Sequence, residues 1–339
     1  VSSAAEKIKN HILQSGPLTF DQYVDFSLYD CEYGFYAKEH DIKDHFVTAP
    51  MMGSWLAQSL VSHWVSESQQ ILHQGITEWG AGRGDLMFSI MMQLHHLGIT
   101  DVPYVCIERS SRQKQHILEK IKSLPVEIQN LVSVESEPAS VSGIVLANEF
   151  LDALPFKRFV VEGGEAYEQV VNVKNGDLAL SKKNESFECP IDVAQYPDGY
   201  ESEVSPAAEA WFKNQVEVGQ NCLWVIIDYG YLRDEYYHKQ RFTGTFQAFR
   251  HHQVVSDWLR TTGLCDLTAH VDFSALIKQL STHCPYRLRT QRQYLMDSGI
   301  FHEMKAPDVE QSTLLKTLML PGQMGDLIKV FEVLKKEGA

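Results

Sequence analysis

The sequence predicts an α/β protein built on a parallel sheet with helices on both faces. Two observations carry this. From about residue 75, short apolar runs alternate with helix-length segments, and a glycine-rich turn joins the first such pair. Strand–helix alternation marks a parallel sheet, because each crossover returns over a face of the sheet. The 339 residues allow two domains or one core with a large insertion.

In chain order, the first 70 residues hold a helical opening (Ala4 to Gln14), a turn at Gly16-Pro17, and an aromatic stretch through Tyr23, Tyr29, Tyr33, Phe35 and Tyr36. The alternation then runs Gly75–Trp79 and Leu86–Leu97, Val102–Ile107 and Ser110–Ile121, followed by apolar runs at Leu131–Val134, Ile144–Ala147 and Leu223–Ile227. Between Pro155 and Gln220 the rhythm breaks. FKRFVVEGG and EAYEQVVNV read as two strands turned at Gly163-Gly164, with a helix near Glu203–Glu217, so 156–220 is expected to be an inserted α+β region. The expected division is a cover over 1–70, a core over 71–155 and 221–339, and that insertion. The tail GDLIKVFEVLKK suits a last strand or a helix.

Lys and Arg total 30 against 44 Asp and Glu, a formal charge of −14. A protein that gains affinity by neutralising nucleic-acid phosphates needs the opposite balance, so no nucleic-acid partner is expected. Six cysteines stand at 31, 106, 189, 222, 265 and 284 without C-x-x-C spacing. That spacing excludes zinc-ribbon and thioredoxin motifs and suits a reducing compartment. The histidine pairs form no metal-binding helix pattern, so no metal is expected. The longest charge-free run, His45 to Ser66, contains Pro50, Gly53, Gln58 and two histidines, a poor membrane span. A soluble intracellular protein is expected.

The most informative segment is Glu78-Trp79-Gly80-Ala81-Gly82-Arg83-Gly84-Asp85. Glycine at a strand–helix turn lets a ligand lie against main-chain N–H groups. A dinucleotide loop would place a third glycine where Asp85 stands, and an acid there opposes a pyrophosphate. With Glu78 it suits a cationic ligand, and S-adenosylmethionine carries both a sulfonium and an ammonium. Glu108, ending the VPYVCIE run 24 residues after Gly84, can accept two ribose hydroxyls in a nucleoside or an NAD site alike. Asn148, Glu149 and Asp152 follow the Val145–Ala147 run, where ligands collect in such sheets. Glu149 or Asp152 can hold a cationic amine or guanidinium acceptor, and Asn148 the acceptor or the cofactor edge. The structural alternative is a helix start capped by Asn148. Asp228 and Tyr229 end the next run on the same rim, where the phenol offers cation–π contact.

These segments, in their order, resemble the MidA-type family of S-adenosylmethionine-dependent methyltransferases, whose mitochondrial members act in respiratory complex I assembly. The likeness spans GPLTFDQYV and YGFY within 16–36, FVTAP at 46–50, EWGAGRGDL at 78–86, ANEFLDALP at 147–155, GTFQAFRHH at 244–252 and DLTAHVDF at 266–273. The resemblance implies a Rossmann-like class I methyltransferase sheet of seven strands, with the N-terminal and inserted elaborations. It implies an S-adenosylmethionine site at Glu78, Gly80, Gly82 and Glu108, and the reading of the loop and of the Val145–Ala147 run adds Ala81, Gly84 and Asn148 as expected cofactor contacts. It also suggests transfer to a protein arginine, with a respiratory-complex subunit as an expected acceptor. The acidic rim of Glu149, Asp152 and Asp228, the expected catalytic acids, agrees with that chemistry. The expected location is a bacterial-type cytoplasm, with the mitochondrial matrix after processing as the alternative. A non-catalytic assembly protein retaining the fold is the competing expectation. Asp44-His45-Phe46, Met51 and Trp55-Leu56 depart from the family pattern of a Gly-Asp-Phe turn, T-x-P-E and an F-G pair.

Overall fold

The computed structural model describes residues 3–37, 54–138, 141–251, 253–281, 284–299, 309–320 and 324–336. The expected departures at residues 44–51 and the FVTAP string lie outside the described residues. Trp55-Leu56 opens a helix, Trp55–Glu67. The chain groups into two units, one of Val1–Phe46, Asp152–Phe212 and Tyr231–Lys278, the other of Val47–Leu151, Lys213–Gly230 and Gln279–Ala339.

The second unit holds the parallel sheet. Seven of its eight strands form the main path: β1 (Ile76–Trp79), β2 (Tyr104–Ile107), β3 (Val132–Glu135), β4 (Gly143–Asn148), β5 (Cys222–Tyr231), β6 (Tyr286–Thr290) and β7 (Ile328–Lys335). They follow one another in the hydrogen-bonded order β6-β7-β5-β4-β1-β2-β3. The pairs among β1 to β5 are parallel, and β7 runs antiparallel to both β5 and β6. The tail opens in a short helix, Met324–Leu327, and is a strand from Ile328 on, with Ile328, Val330, Phe331 and Val333 buried in the sheet.

Gly143 through Ala147 are all buried, as a strand covered on both faces requires. On one face Ile76, Tyr104, Cys106, Ile144, Leu146, Val225 and Ile227 share a core with Leu60 and Trp64 of Trp55–Glu67 and with Leu86, Ile90 and Leu94 of the helix Asp85–His96. Each such aliphatic side chain contributes about 1.5–3 kcal/mol on burial. Trp224 points to the opposite face, where its ring meets Gly219 just past the helix Pro206–Val218.

The first unit opens with the helix Ala4–Ser15. Its Ser3 cap accepts from the Glu6 N–H at 3.3 Å, and Ile8 and Ile12 are its buried stripe. The helix Phe20–Tyr29 follows a Thr19–Gln22 capping box. The expected hairpin forms from strands Lys157–Glu162 and Glu165–Lys174, turned at Gly163-Gly164. Strands Asp177–Ser186, Glu201–Val204 and Leu18–Thr19 complete that sheet. Gln247–Arg250, Gln253–Val254 and Asp266–Thr268 form a smaller one.

Arg158 is the polar centre of this unit. Its guanidinium lies 5.5 Å from the Phe20 ring centroid and 5.0 Å from that of Phe246, and it donates to Glu201 at 2.9 Å and Glu203 at 3.2 Å. A buried charge so paired and stacked avoids the desolvation cost an isolated one would carry.

All six cysteines are free thiols. Among the described residues no helix is long and apolar enough to cross a membrane.

Gly143 begins β4 at φ +79°, and a Cβ there would fall on the Gly75 carbonyl oxygen, which accepts from the Ile144 N–H. Gly143→Ala is expected to destabilise the protein by roughly 2–4 kcal/mol, read as a lowered urea midpoint with unchanged slope.

Candidate functional site

The sheet reverses its strand order between β1 and β4. The chain leaving β1 moves toward β2, whereas the chain leaving β4 moves toward β5, which opens a crevice at the carboxyl ends of both strands. The glycine-rich segment, Glu108, Asn148, Glu149 and Asp228 all stand at this edge of the second unit.

After β1 the backbone enters the left-handed region at Gly80 (φ +65°), Gly82 (+54°) and Gly84 (+75°). Gly80 leaves no choice of residue: a Cβ would sit 2.6 Å from Cδ2 of Phe150. The Gly80 and Ala81 N–H groups donate to the Ile107 carbonyl at 3.0 and 3.3 Å, laying the loop across the end of β2. Gly84 is the N-cap of the helix Asp85–His96. Asp85 is its first residue rather than its cap, and it pairs with Lys120.

Glu108 ties the two βα turns together. One carboxylate oxygen accepts from the Gly82 N–H at 3.0 Å and the other from the Ser110 N–H at 2.8 Å. Burial pushes its carboxyl above the ordinary range, against those donors.

Glu78 is only 3 % exposed and accepts from the Tyr104 hydroxyl at 2.8 Å. Burial pushes its carboxyl up to about 8, the Tyr104 bond opposes this, and the charges of Asp85 and Glu108 add to it.

Asn148 ends β4 with its Oδ1 buried and without a hydrogen-bond partner. No helix follows, so the helix-cap reading of Asn148 and Asp152 is not realised: the chain turns instead through Glu149, which takes φ +45°. Asp228 is fully buried. Its Oδ2 accepts from the N–H groups of Phe150 (3.2 Å) and Leu151 (2.9 Å), and its Oδ1 from that of Tyr229 (2.9 Å). Tyr229 packs partly buried against the core of this unit.

Asp152 belongs to the first unit. It is buried, and its carbonyl accepts from the Ala269 N–H at 3.0 Å. In the same unit Tyr36, stacked on Tyr29, donates to Asp266 at 3.0 Å, and burial pushes the Asp266 carboxyl up to about 6.

Sequence reasoning missed three partners. Tyr104 was legible in principle, since residues 76, 78, 104 and 106 share a face by register. Phe150 lay inside the quoted NEFLDALP string. Lys120 had no sequence signal, because its approach to Asp85 depends on how two helices pack.

A parallel sheet in the order 3-2-1-4-5-7-6 with an antiparallel seventh strand, and an acid-rimmed glycine loop at its switch point, defines a Rossmann-like methyltransferase of class I. The chain belongs to the family described as "Putative S-adenosyl-L-methionine-dependent methyltransferase", which matches residues 55–290, and S-adenosylmethionine is its cofactor. It is 27 % identical to the protein arginine methyltransferase NDUFAF7 homolog, mitochondrial, of Caenorhabditis elegans, over 95 % of this chain and 84 % of that one. It is also 27 % identical to the Danio rerio protein arginine methyltransferase NDUFAF7, mitochondrial, over 98 % and 87 %. A Burkholderia thailandensis protein solved bound to S-adenosyl-homocysteine superposes with a TM-score of 0.87 at 24 % identity, covering 98 % of this chain and 92 % of that one, which establishes a common fold.

The Glu78 proton gives a pH test. Its carboxyl is raised to about 8 from the ordinary 4.5, so between those values the folded chain holds a proton the unfolded chain has lost. The stability this contributes is fully present below 4.5 and is lost as pH rises through 8. Glu78→Gln should flatten the fall in urea midpoint between about pH 5 and pH 9 relative to the parent protein. An unchanged pH profile in that variant would show that Glu78 is ionised in the fold.

Proposed function

We propose that this chain methylates an arginine side chain of a protein, with the donor held at the β1–β4 crevice. The observation that carries the donor site is the buried, unpartnered Oδ1 of Asn148 beside the left-handed glycine loop. It is an acceptor atom that needs a donor. Together with the carboxyls of Glu78 and Glu108 it makes a set of acceptors suited to a ligand carrying an ammonium and ribose hydroxyls. Gly80, Ala81, Gly82 and Gly84 would supply the close main-chain approach. The donor set therefore fits the cofactor.

S-adenosylmethionine, when bound, supplies an electrophilic methyl group on a sulfonium. The chain's own part is alignment and proton handling. Glu149 would accept guanidinium N–H groups, hold one nitrogen toward the crevice and take the proton that nitrogen sheds.

Arginine is favoured by the names of the relatives, which align over nearly all of the chain. Those names also support a mitochondrial location, and the family resemblance supports a respiratory-complex subunit in the matrix as acceptor. Capture from mitochondria with an isotope-labelled methyl donor, followed by mass spectrometry, identifies that acceptor.

In titration calorimetry the full chain should bind S-adenosylhomocysteine. Glu149→Gln should retain that affinity within about threefold while turnover on an arginine peptide falls roughly 10²–10⁴-fold. Label appearing on lysine peptides instead would overturn the arginine assignment, and no binding of S-adenosylhomocysteine would overturn the donor site.

A further inference from the structure

We infer that Phe150 and Asp228 are positioning residues for the donor site, acting through Gly80; the inference rests on the donor reading of residues 78–84. Three successive N–H groups beyond β4 are tied to the end of β5. Glu149 donates to the Ile227 carbonyl at 2.7 Å, and Phe150 and Leu151 donate to Asp228 Oδ2 at 3.2 and 2.9 Å. A chain strapped this tightly has to change direction within one residue, and Glu149 does so at φ +45°, a region that a residue with a side chain enters only when its surroundings impose it.

The turn delivers the Phe150 ring to the glycine loop. The ring stands where a Gly80 side chain would be, and its centroid is 6.1 Å from that of Trp79. Gly80 is then fixed twice, through its N–H by Ile107 and at its Cα by the ring. A two-sided hold of this kind keeps a glycine, the freest residue in the chain, in one conformation before a ligand arrives. The Asp228 carboxylate is occupied by main-chain donors on both oxygens. Holding these three N–H groups, it acts through Phe150. Asp228 was expected from the sequence to be a catalytic acid; its geometry assigns it this other work.

The test is a set of full-length variants titrated with S-adenosylhomocysteine and assayed for turnover, with urea midpoints recorded for each. Phe150→Leu and Asp228→Asn should each weaken S-adenosylhomocysteine binding about tenfold, and the double variant should lose less than the product of the two. The pH–rate profile of Asp228→Asn should keep the shape of the parent profile. Should Asp228→Asn fail to fold, Phe150→Leu decides alone, through its affinity and urea midpoint, and Phe150→Tyr, which keeps a ring in the same place, should bind S-adenosylhomocysteine within about threefold of the parent. Unchanged affinity in Phe150→Leu, strictly multiplicative losses, or an equal loss in Phe150→Tyr would overturn the inference. So would loss of one limb of the Asp228→Asn pH–rate profile with affinity retained, which marks an acid–base group. A parent protein that does not bind S-adenosylhomocysteine is a different failure, that of the donor reading itself.

Discussion

Two parallel strands lie side by side, and the chain leaves them in opposite directions. That divergence at β1 and β4 is the constraint on which the site depends. Neither connection crosses the carboxyl edge between them, so the crevice follows from strand order, and Phe150 is a side chain that reaches across it. What the side chains decide is how the two departing loops are held. The β1 loop is laid over the end of β2 by Ile107 and Glu108. The β4 loop is strapped to the end of β5 by Ile227 and Asp228. Each loop is thus anchored on the strand away from the crevice.

The acids at this edge differ in what their surroundings make of them. Glu78 is buried with a single neutral donor and keeps its proton into the neutral range. Glu108 has main-chain donors on both oxygens, which oppose the effect of burial. Asp85 is compensated by a lysine one helix away. Both the depth of burial and the count and type of partners separate Glu78 from Glu108. On the proposed donor reading, bringing a cation to Glu78 is expected to cost its proton.

Much of the second unit could be read from the chain because its signals are local. Apolar runs of strand length, the G-x-G-x-G turn and the acid at the end of the VPYVCIE run each specify a structure within a few residues. The hairpin at Gly163-Gly164 was legible for the same reason. The place of Asp228 was not, since an aspartate ending a strand looks the same whether it faces an acceptor or its own backbone. Only the path of residues 149–151 distinguishes these, and that path depends on the pairing of β4 with β5. The tail also stayed open between helix and strand, because its pairs Leu327-Ile328 and Val330-Phe331 suit either period, and the register with β5 settles it.

The first unit is assembled from three stretches of chain, and this has a consequence for its synthesis. Leu18–Thr19 pairs with Val170–Val171, so roughly 150 residues must emerge from the ribosome before that pairing can close. At about 5–20 residues per second this is roughly 8–30 s. Throughout it the apolar faces of Ala4–Ser15 and Phe20–Tyr29 have no sheet to cover them. The guanidinium of Arg158 waits longer, since Phe246 is made later still. Apolar surface left uncovered for that interval is open to aggregation until the sheet is made.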